Sequence, residues 1–114
     1  MIDFSKEIVS ALKTILPVYH ELHLTANTKT PCISYQQRDN AMQEHGDTIG
    51  YNRISYTVKV WGNDIAVLQD YSEQIDNVMR LLGFKRISSN ELYDYQSTMI
   101  QKIMAYEAYV LEEY

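Results

Sequence analysis

The chain has 114 residues, enough for one modest hydrophobic core, so we predict a single domain over residues 1–114 and exclude a second one. Apolar residues make up 46% of the chain and charged residues 22%, a balance that excludes a disordered protein. Fifteen acidic residues against ten Lys and Arg give a formal charge of −5, the wrong sign for tight, charge-driven binding of nucleic acid.

The first predicted elements are a helix and two strands. Apolar residues recur at steps of three and four from Phe4 to Ile15, which indicates an amphipathic helix that Asp3 or Ser5 caps and Pro17 ends. From Val18 to Leu24 the period changes to two, as in a short strand. After a turn, a second strand follows Pro31 and ends at Arg38.

Residues 39–50 have no sustained period and contain two of the four glycines. We predict a long loop or a mobile hairpin arm here. The residues that represent this candidate arm are Asp39, Met42, Glu44, His45 and Asp47.

The middle of the chain gives the clearest strand and the clearest helix. Residues 54–61 alternate between two sets of side chains that suit a pleated sheet, except for Lys59. Gly62-Asn63-Asp64 then supplies a turn and a helix cap, and an apolar stripe runs from Ile65 to Leu82. Gly83 follows, where a left-handed residue is expected to end the helix.

The C-terminal quarter predicts two strands. Residues 84–88 form the first, Ser89-Asn90-Glu91 a turn, and residues 99–111 a long final strand. Because both faces of this last strand are apolar, it lies inside the sheet or meets another subunit. The order of elements predicts an α+β fold, with a mostly antiparallel sheet of about four to five strands and two helices packed on one face.

No motif in the chain supports catalysis. His20 and His23 are three residues apart, and on a strand their rings would point to opposite sides, so we predict no metal site. Cys32 has no cysteine-protease signature around it, and no glycine-rich phosphate loop is present. We therefore predict no catalytic or cofactor-binding residues and no cofactor, and a protein that is not an enzyme.

Ten tyrosines are more informative, because tyrosine combines a large apolar area with a polar tip and is enriched at protein interfaces. Five of the ten lie in the last quarter of the chain, at positions 93, 95, 106, 109 and 114. We take Tyr93, Tyr95, Tyr106 and Tyr109 as candidates for a subunit or partner interface, while ordinary strand composition would explain them equally well.

The single cysteine and the absence of a signal-peptide layout or a bilayer-length apolar run predict a soluble protein in the cytoplasm of the cell that makes it. We expect the partners to be other proteins, and we expect no binding to a membrane.

The order of elements and several segments resemble the tail-terminator, or tail-completion, proteins of long-tailed bacteriophages, particularly siphophages. The resemblance covers nearly the whole chain. It is carried by Ile15-Leu16-Pro17-Val18, by Pro31-Cys32-Ile33-Ser34-Tyr35, by residues 56–62, by residues 81–86 and by residues 103–110.

This resemblance implies a virion protein that forms a hexameric ring on the finished tail tube, ends tube polymerisation and docks the filled head. Its partners would be other copies of itself, the tail tube protein and the head connector or stopper protein. DNA would pass nearby without specific binding, which suits an acidic chain. A head-completion or stopper protein of the neck is the nearest alternative. A small ligand-binding module, with Trp61 and tyrosines lining a pocket between sheet and helices, is the alternative from another class.

Overall fold

The protein has an α+β fold, as predicted. A computed structural model describes the backbone of residues 4–25, 27–44 and 49–113, and the side chains of those ranges except 39–44, 49–52 and 110–113. Among the described residues there are two helices and five strands. They are α1 (Ser5–Leu12), β1 (Val18–His20), β2 (Cys32–Glu44), β3 (Ile49–Gly62), α2 (Ile65–Leu81), β4 (Lys85–Asp94) and β5 (Met99–Glu113). No helix in this part of the chain is long and apolar enough to cross a membrane.

The five strands form one mixed sheet in the order β1-β2-β3-β5-β4. Only β1 and β2 run parallel, and the other three pairs are antiparallel. The last strand therefore lies inside the sheet, between β3 and β4, in agreement with the apolar residues on both of its faces.

The core lies against one face of the sheet, which we call the core face. Val58 on β3 lies opposite Met104 on β5, Tyr56 lies opposite Tyr106, and all four side chains are buried. The hydroxyl of Tyr106 donates a hydrogen bond of 3.1 Å to Asp76 Oδ1 on α2. Apolar residues of both helices complete the same cluster, among them Ile8 and Leu12 of α1 and Leu68, Ile75 and Met79 of α2.

The predicted ends of α2 are confirmed. Asp64 occupies the N-cap position, and its Oδ1 accepts a hydrogen bond of 3.0 Å from the backbone N–H of Ala66. Gly83, just beyond the helix, has φ +95°, which residues with a side chain rarely adopt.

The start of α1 differs from the prediction. Phe4 is the N-cap residue and makes no side-chain cap bond, so Ser5 is not the cap, and Asp3 lies outside the described residues. The backbone N–H of Phe4 instead donates a hydrogen bond of 3.2 Å to Tyr56 Oη on β3, and Ser5 Oγ lies 3.2 Å from the same oxygen. A distant tyrosine thus satisfies a helix-end donor that a local side chain usually satisfies.

We expect Tyr56→Phe to destabilise the fold by about 1 kcal/mol, because it leaves polar groups at the start of α1 without this partner while preserving the packing of the ring. Urea unfolding measures the loss, and amide hydrogen exchange should show faster opening at Ile8, whose N–H donates to Phe4 O at 2.9 Å. Tyr95→Phe, at an exposed ring, is the matched control. Equal stability of the two variants would contradict the assignment.

Several predicted boundaries are wrong. The first helix was expected to continue to Pro17, but α1 ends at Leu12. The first strand ends at His20, and residues 21–23 form one turn of 3-10 helix in which the Leu22 N–H donates to His20 Nδ1 at 3.1 Å. The predicted turn at 89–91 is strand, because these residues pair with residues 102–104 of β5. The hairpin turns at residues 95–98 instead, where Asp94 Oδ1 accepts a hydrogen bond of 3.0 Å from the Gln96 N–H.

Candidate functional site

Three strands run beyond the rest of the domain and form an arm. Pairing of β1 with β2 stops at Tyr35, and pairing of β4 with β5 stops at Lys85 and Glu107. The central strands continue side by side as far as Glu44, Ile49 and Glu113. We define the arm as residues 39–54 and 108–113, of which 45–48 lie outside the described residues.

The arm makes the molecule long. The principal extents of the molecule are 54 × 24 × 24 Å. The radius of gyration of the molecule is 15.5 Å, compared with about 13 Å for a compact domain of 100 residues. The interpretation of residues 39–50 as a loop is wrong, since 39–44 and 49–50 belong to paired strands; the hairpin alternative agrees with the structure. Asp39, Met42 and Glu44 therefore lie on β2, while His45 and Asp47 lie outside the described residues. The mobility of the arm stays a prediction.

The arm holds most of the net charge of the protein. Its acidic residues are Asp39, Glu44, Asp47, Glu112 and Glu113, and the only Lys or Arg in its sequence is Arg53. The arm therefore has a formal charge of −4, and the remaining residues, with ten acidic and nine basic side chains, have −1. Most of the formal negative charge thus lies in one part of the chain.

A basic cluster lies at the junction of α2 and β4. Arg80 and Arg86 both face Asp76, with N···O distances of 3.1 Å and 3.6 Å. Lys85 is exposed and makes no ion pair with any described residue. Together with Phe84 these four residues line an open cleft of 370 Å³. Two arginines therefore share the carboxylate of Asp76, while Lys85 lies opposite Glu107 in the sheet.

The β4–β5 hairpin presents most of the predicted tyrosine surface. Tyr93 and Tyr95 are 46% and 86% exposed, and their rings meet edge to face at 4.8 Å. All ten residues of β4 are exposed, including Ile87 and Leu92, and β4 is an outer strand of the sheet. An exposed outer strand with apolar side chains is a typical place for another chain to pair or pack.

The other two predicted interface tyrosines divide between surface and core. Tyr109 on β5 is 55% exposed. Tyr106 does not belong to the surface: it is 1% exposed and faces α2, because even-numbered residues of β5 such as Met104 point to the core face. Burial and the neighbouring Asp76 carboxylate raise the pKa of its hydroxyl well above the usual range.

The face of the sheet opposite the core face carries a hydrogen-bonded cluster that tethers residues 21–23. Glu21 accepts from Lys59 Nζ at 2.8 Å and from Ser34 Oγ at 2.6 Å. Ser34 Oγ also accepts from Trp61 Nε1 at 2.9 Å. These groups satisfy one another, so they fix the connector on the sheet and present few polar atoms for a ligand.

Beside this cluster, Trp61 and Cys32 line an open cleft of 410 Å³. Its other walls come from Leu24, Thr25, Thr28 and Thr30 and from residues at the β4–β5 turn. The prediction of a pocket between sheet and helices is therefore wrong in position, and no tyrosine lines this cleft. Asp94 at its rim is already engaged with Gln96 N–H and Ser97 Oγ, which lower the pKa of its carboxyl. Burial raises the pKa of the Cys32 thiol, which favours the less reactive protonated form.

The two histidines lie closer than predicted. The rings of His20 and His23 are 5.7 Å apart, because the change from strand to 3-10 helix brings them to one side. His20 also packs edge to face on Tyr35 at 5.3 Å. Within the part of the chain that the structure describes, no three His, Cys, Asp or Glu side chains are placed to hold a metal ion.

Neither the scan against protein-family models nor the search of curated proteins found a match to this chain. Sequence reasoning missed the basic cluster, whose members come from α2 and β4 and meet only in the fold. The adjacent Lys85-Arg86 pair was the available signal. It also missed the concentration of charge in the arm, which is apparent only once the strand ends are known.

Proposed function

We propose that this chain is a structural virion assembly protein of the phage tail-terminator type. Copies close into a ring, a hexamer by the resemblance, on the end of a tail tube. The ring ends tube polymerisation and offers a docking surface to the head connector. It acts in the host cytoplasm during assembly and in the tail or neck of the virion afterwards, with no cofactor and no reaction.

The observation that supports the proposal best is the length of paired strand that lies beyond the hydrophobic core. Three strands continue beyond the pairing of β1 and β4 at one end of the sheet, and the β4–β5 hairpin exposes Tyr93 and Tyr95 at the other end. Backbone and aromatic groups arranged in this way suit contacts with other chains. The clefts give less support to a ligand-binding module, because the polar groups around Trp61 already bind one another.

Negative-stain images of the purified protein mixed with tail tubes, or with filled heads, test the proposal. We expect rings at tube ends and no further growth of capped tubes. Binding to heads alone would favour the head-completion alternative. Binding to neither, together with thermal stabilisation by a metabolite, would favour the ligand-binding module.

We expect the double change Tyr93→Ser and Tyr95→Ser to weaken attachment to tubes by roughly thirty-fold, since an interface tyrosine that is a hot spot contributes about 2 kcal/mol. The unfolding free energy should change by less than about 1 kcal/mol, because both rings are exposed. Pelleting with tubes measures attachment. Leu22→Ser, at another exposed apolar residue, is the control. An equal loss of tube attachment in both variants would contradict a role of the β4–β5 hairpin in attachment.

A further inference from the structure

The outer edge of β4 is open along its whole length. β4 is the last strand in the sheet order and pairs with β5 on one side. All ten of its side chains are exposed, so no other described element covers the strand. The strand at the opposite edge of the sheet, β1, has only three residues. Backbone N–H and C=O groups on a long open edge are available to pair with a further strand.

The two ends of β4 carry side chains that attract each other. Lys85 and Arg86 begin the strand, and Tyr93 and Asp94 end it. Lys85 makes no ion pair with any described residue, and Asp94 is exposed at the other end. A second copy of β4 that runs antiparallel brings unlike ends together. A parallel copy in register would place Lys85 against Lys85 and Asp94 against Asp94, which is unfavourable.

The faces of the strand permit the antiparallel arrangement. Opposed residues of paired strands lie on the same face of a sheet. Lys85 and Asp94 both pair with odd-numbered residues of β5, so they share the face away from the core. Arg86 and Tyr93 both pair with even-numbered residues of β5, so they share the core face. The register shift at Ile87 makes this match possible, since residues nine apart on a regular strand lie on opposite faces.

We propose that two copies of this chain pair through β4, antiparallel, about a two-fold axis at Asn90. Lys85 of each copy then lies opposite Asp94 of the other copy. Arg86 lies opposite Tyr93, and a guanidinium beside an aromatic ring is attractive. The contact is isologous, so each of these pairs occurs twice. The two five-stranded sheets join into one.

The neighbouring registers are less favourable. A centre one residue later would place the carboxylate of Glu91 against that of Glu91 in the other copy. A centre one residue earlier would place Lys85 opposite Leu92 and leave Asp94 beyond the last pair. With the centre at Asn90, two amide side chains face each other, and each amide can both donate and accept a hydrogen bond.

This inference goes beyond the proposed ring, because it concerns free copies that have not met a tube. Pairing through β4 covers Tyr93, which the tail-terminator proposal uses for attachment. The pair must therefore separate before a tube is capped.

Cysteine substitution tests the register. Opposed residues of an antiparallel pair have Cα atoms about 4.5 to 5.5 Å apart, a distance that a disulfide spans. Ser88 shares its face with Asn90, but its two copies would lie roughly 14 Å apart. With the mild oxidant diamide, we expect Asn90→Cys to form a covalent dimer at least about tenfold faster than Ser88→Cys. Cys32 is buried and is retained in both variants.

Sedimentation velocity tests the association itself. At about 10 to 500 µM the unaltered chain should show a monomer–dimer equilibrium. Asn90→Lys places two ammonium groups at the axis and should weaken this equilibrium at least about tenfold. Asn77→Lys, the same change at an exposed residue of α2, is the matched control and should leave it unchanged. If circular dichroism shows that Asn90→Lys is unfolded, Asn90→Glu replaces it and places two carboxylates at the axis.

Three results would each overturn the proposal: a monomer of the unaltered chain throughout this range, equal cross-linking of the two cysteine variants, or equal association of the Asn90 and Asn77 variants. These measurements contain no tail tubes, so they are separable from the tube experiment. If β4 pairs as expected while the chain ignores tubes, the contact stands and the tail-terminator function fails. If the chain caps tubes but does not associate without them, the function stands and the contact fails.

Discussion

Shortening the arm is expected to abolish attachment to tail tubes while the domain remains folded. The variant replaces residues 41–53 with Asn-Gly, so that Asn40 and Ile54, which are paired in the native sheet, are joined by a two-residue hairpin turn. The buried cluster of Ile8, Val58, Ile75 and the residues around them stays complete, because it lies outside the deleted segment. Any contact that the arm makes with the tube is lost.

The measurement is co-sedimentation with tubes, with circular dichroism and urea unfolding of the same sample. We expect at least a hundredfold loss of attachment and a change of no more than about 1 kcal/mol in unfolding free energy, since the deleted strand ends contribute no residue to the buried cluster. Glu73→Gln, at an exposed residue of α2, serves as the control. Full attachment of the shortened chain to tubes would contradict a role of the arm in assembly.

The arm also shows where sequence reasoning stops. Residues 54–61 alternate because one face of β3 packs on the core, and that part of the strand was predicted correctly. The same strand begins five residues earlier, at Ile49, where its order comes from pairing with β2 and β5. Pairing through the backbone leaves no period in the side chains, so the sequence of 39–50 resembled a loop.

The ends of the helices could be predicted only where residues nearby in the sequence determine them. Asp64 and Gly83 act through their own local geometry, so the limits of α2 could be predicted. The start of α1 depends on Tyr56, which is 52 residues away from Phe4 in the chain, and no local pattern reveals such a partner. The turn at 89–91 failed for a related reason: Glu91 pairs with Lys102, whose ammonium lies 2.9 Å from its carboxylate.

The tyrosines test the division between core and surface most directly. Sequence composition placed Tyr106 with Tyr93 and Tyr95, but only the register of β5 shows that its side chain faces α2. We therefore expect two different responses to truncation. Truncation of Tyr93 or Tyr95 should weaken assembly, whereas truncation of Tyr106 should destabilise the fold.

We expect Tyr106→Ala to destabilise the fold by about 3–5 kcal/mol, a large part of the stability of a domain this size, because it leaves a cavity and removes the hydroxyl that Asp76 accepts from. Urea unfolding measures the loss. Assembly should fail only to the extent that the variant is unfolded, so lowering the temperature should restore it. A stable Tyr106→Ala protein that no longer assembles would contradict the purely structural role of Tyr106 and favour the original interface prediction.

The conservative change Tyr106→Phe removes only the hydroxyl, so the pH dependence of the unfolding free energy distinguishes its contribution from that of the ring. Burial, and then Asp76, raise the pKa of Tyr106 in the folded protein, whereas an unfolded tyrosine ionises near pH ~10. Above that pH the unfolded chain loses the proton that the native chain keeps, so stability falls as pH rises; below it the contribution is fully present. Tyr106→Phe should cost about 1 kcal/mol at pH 7 and lose stability less steeply than the unaltered chain above pH ~10, since the other tyrosines titrate equally in both proteins. Parallel alkaline unfolding curves for the two proteins would contradict the buried position of this hydroxyl beside Asp76.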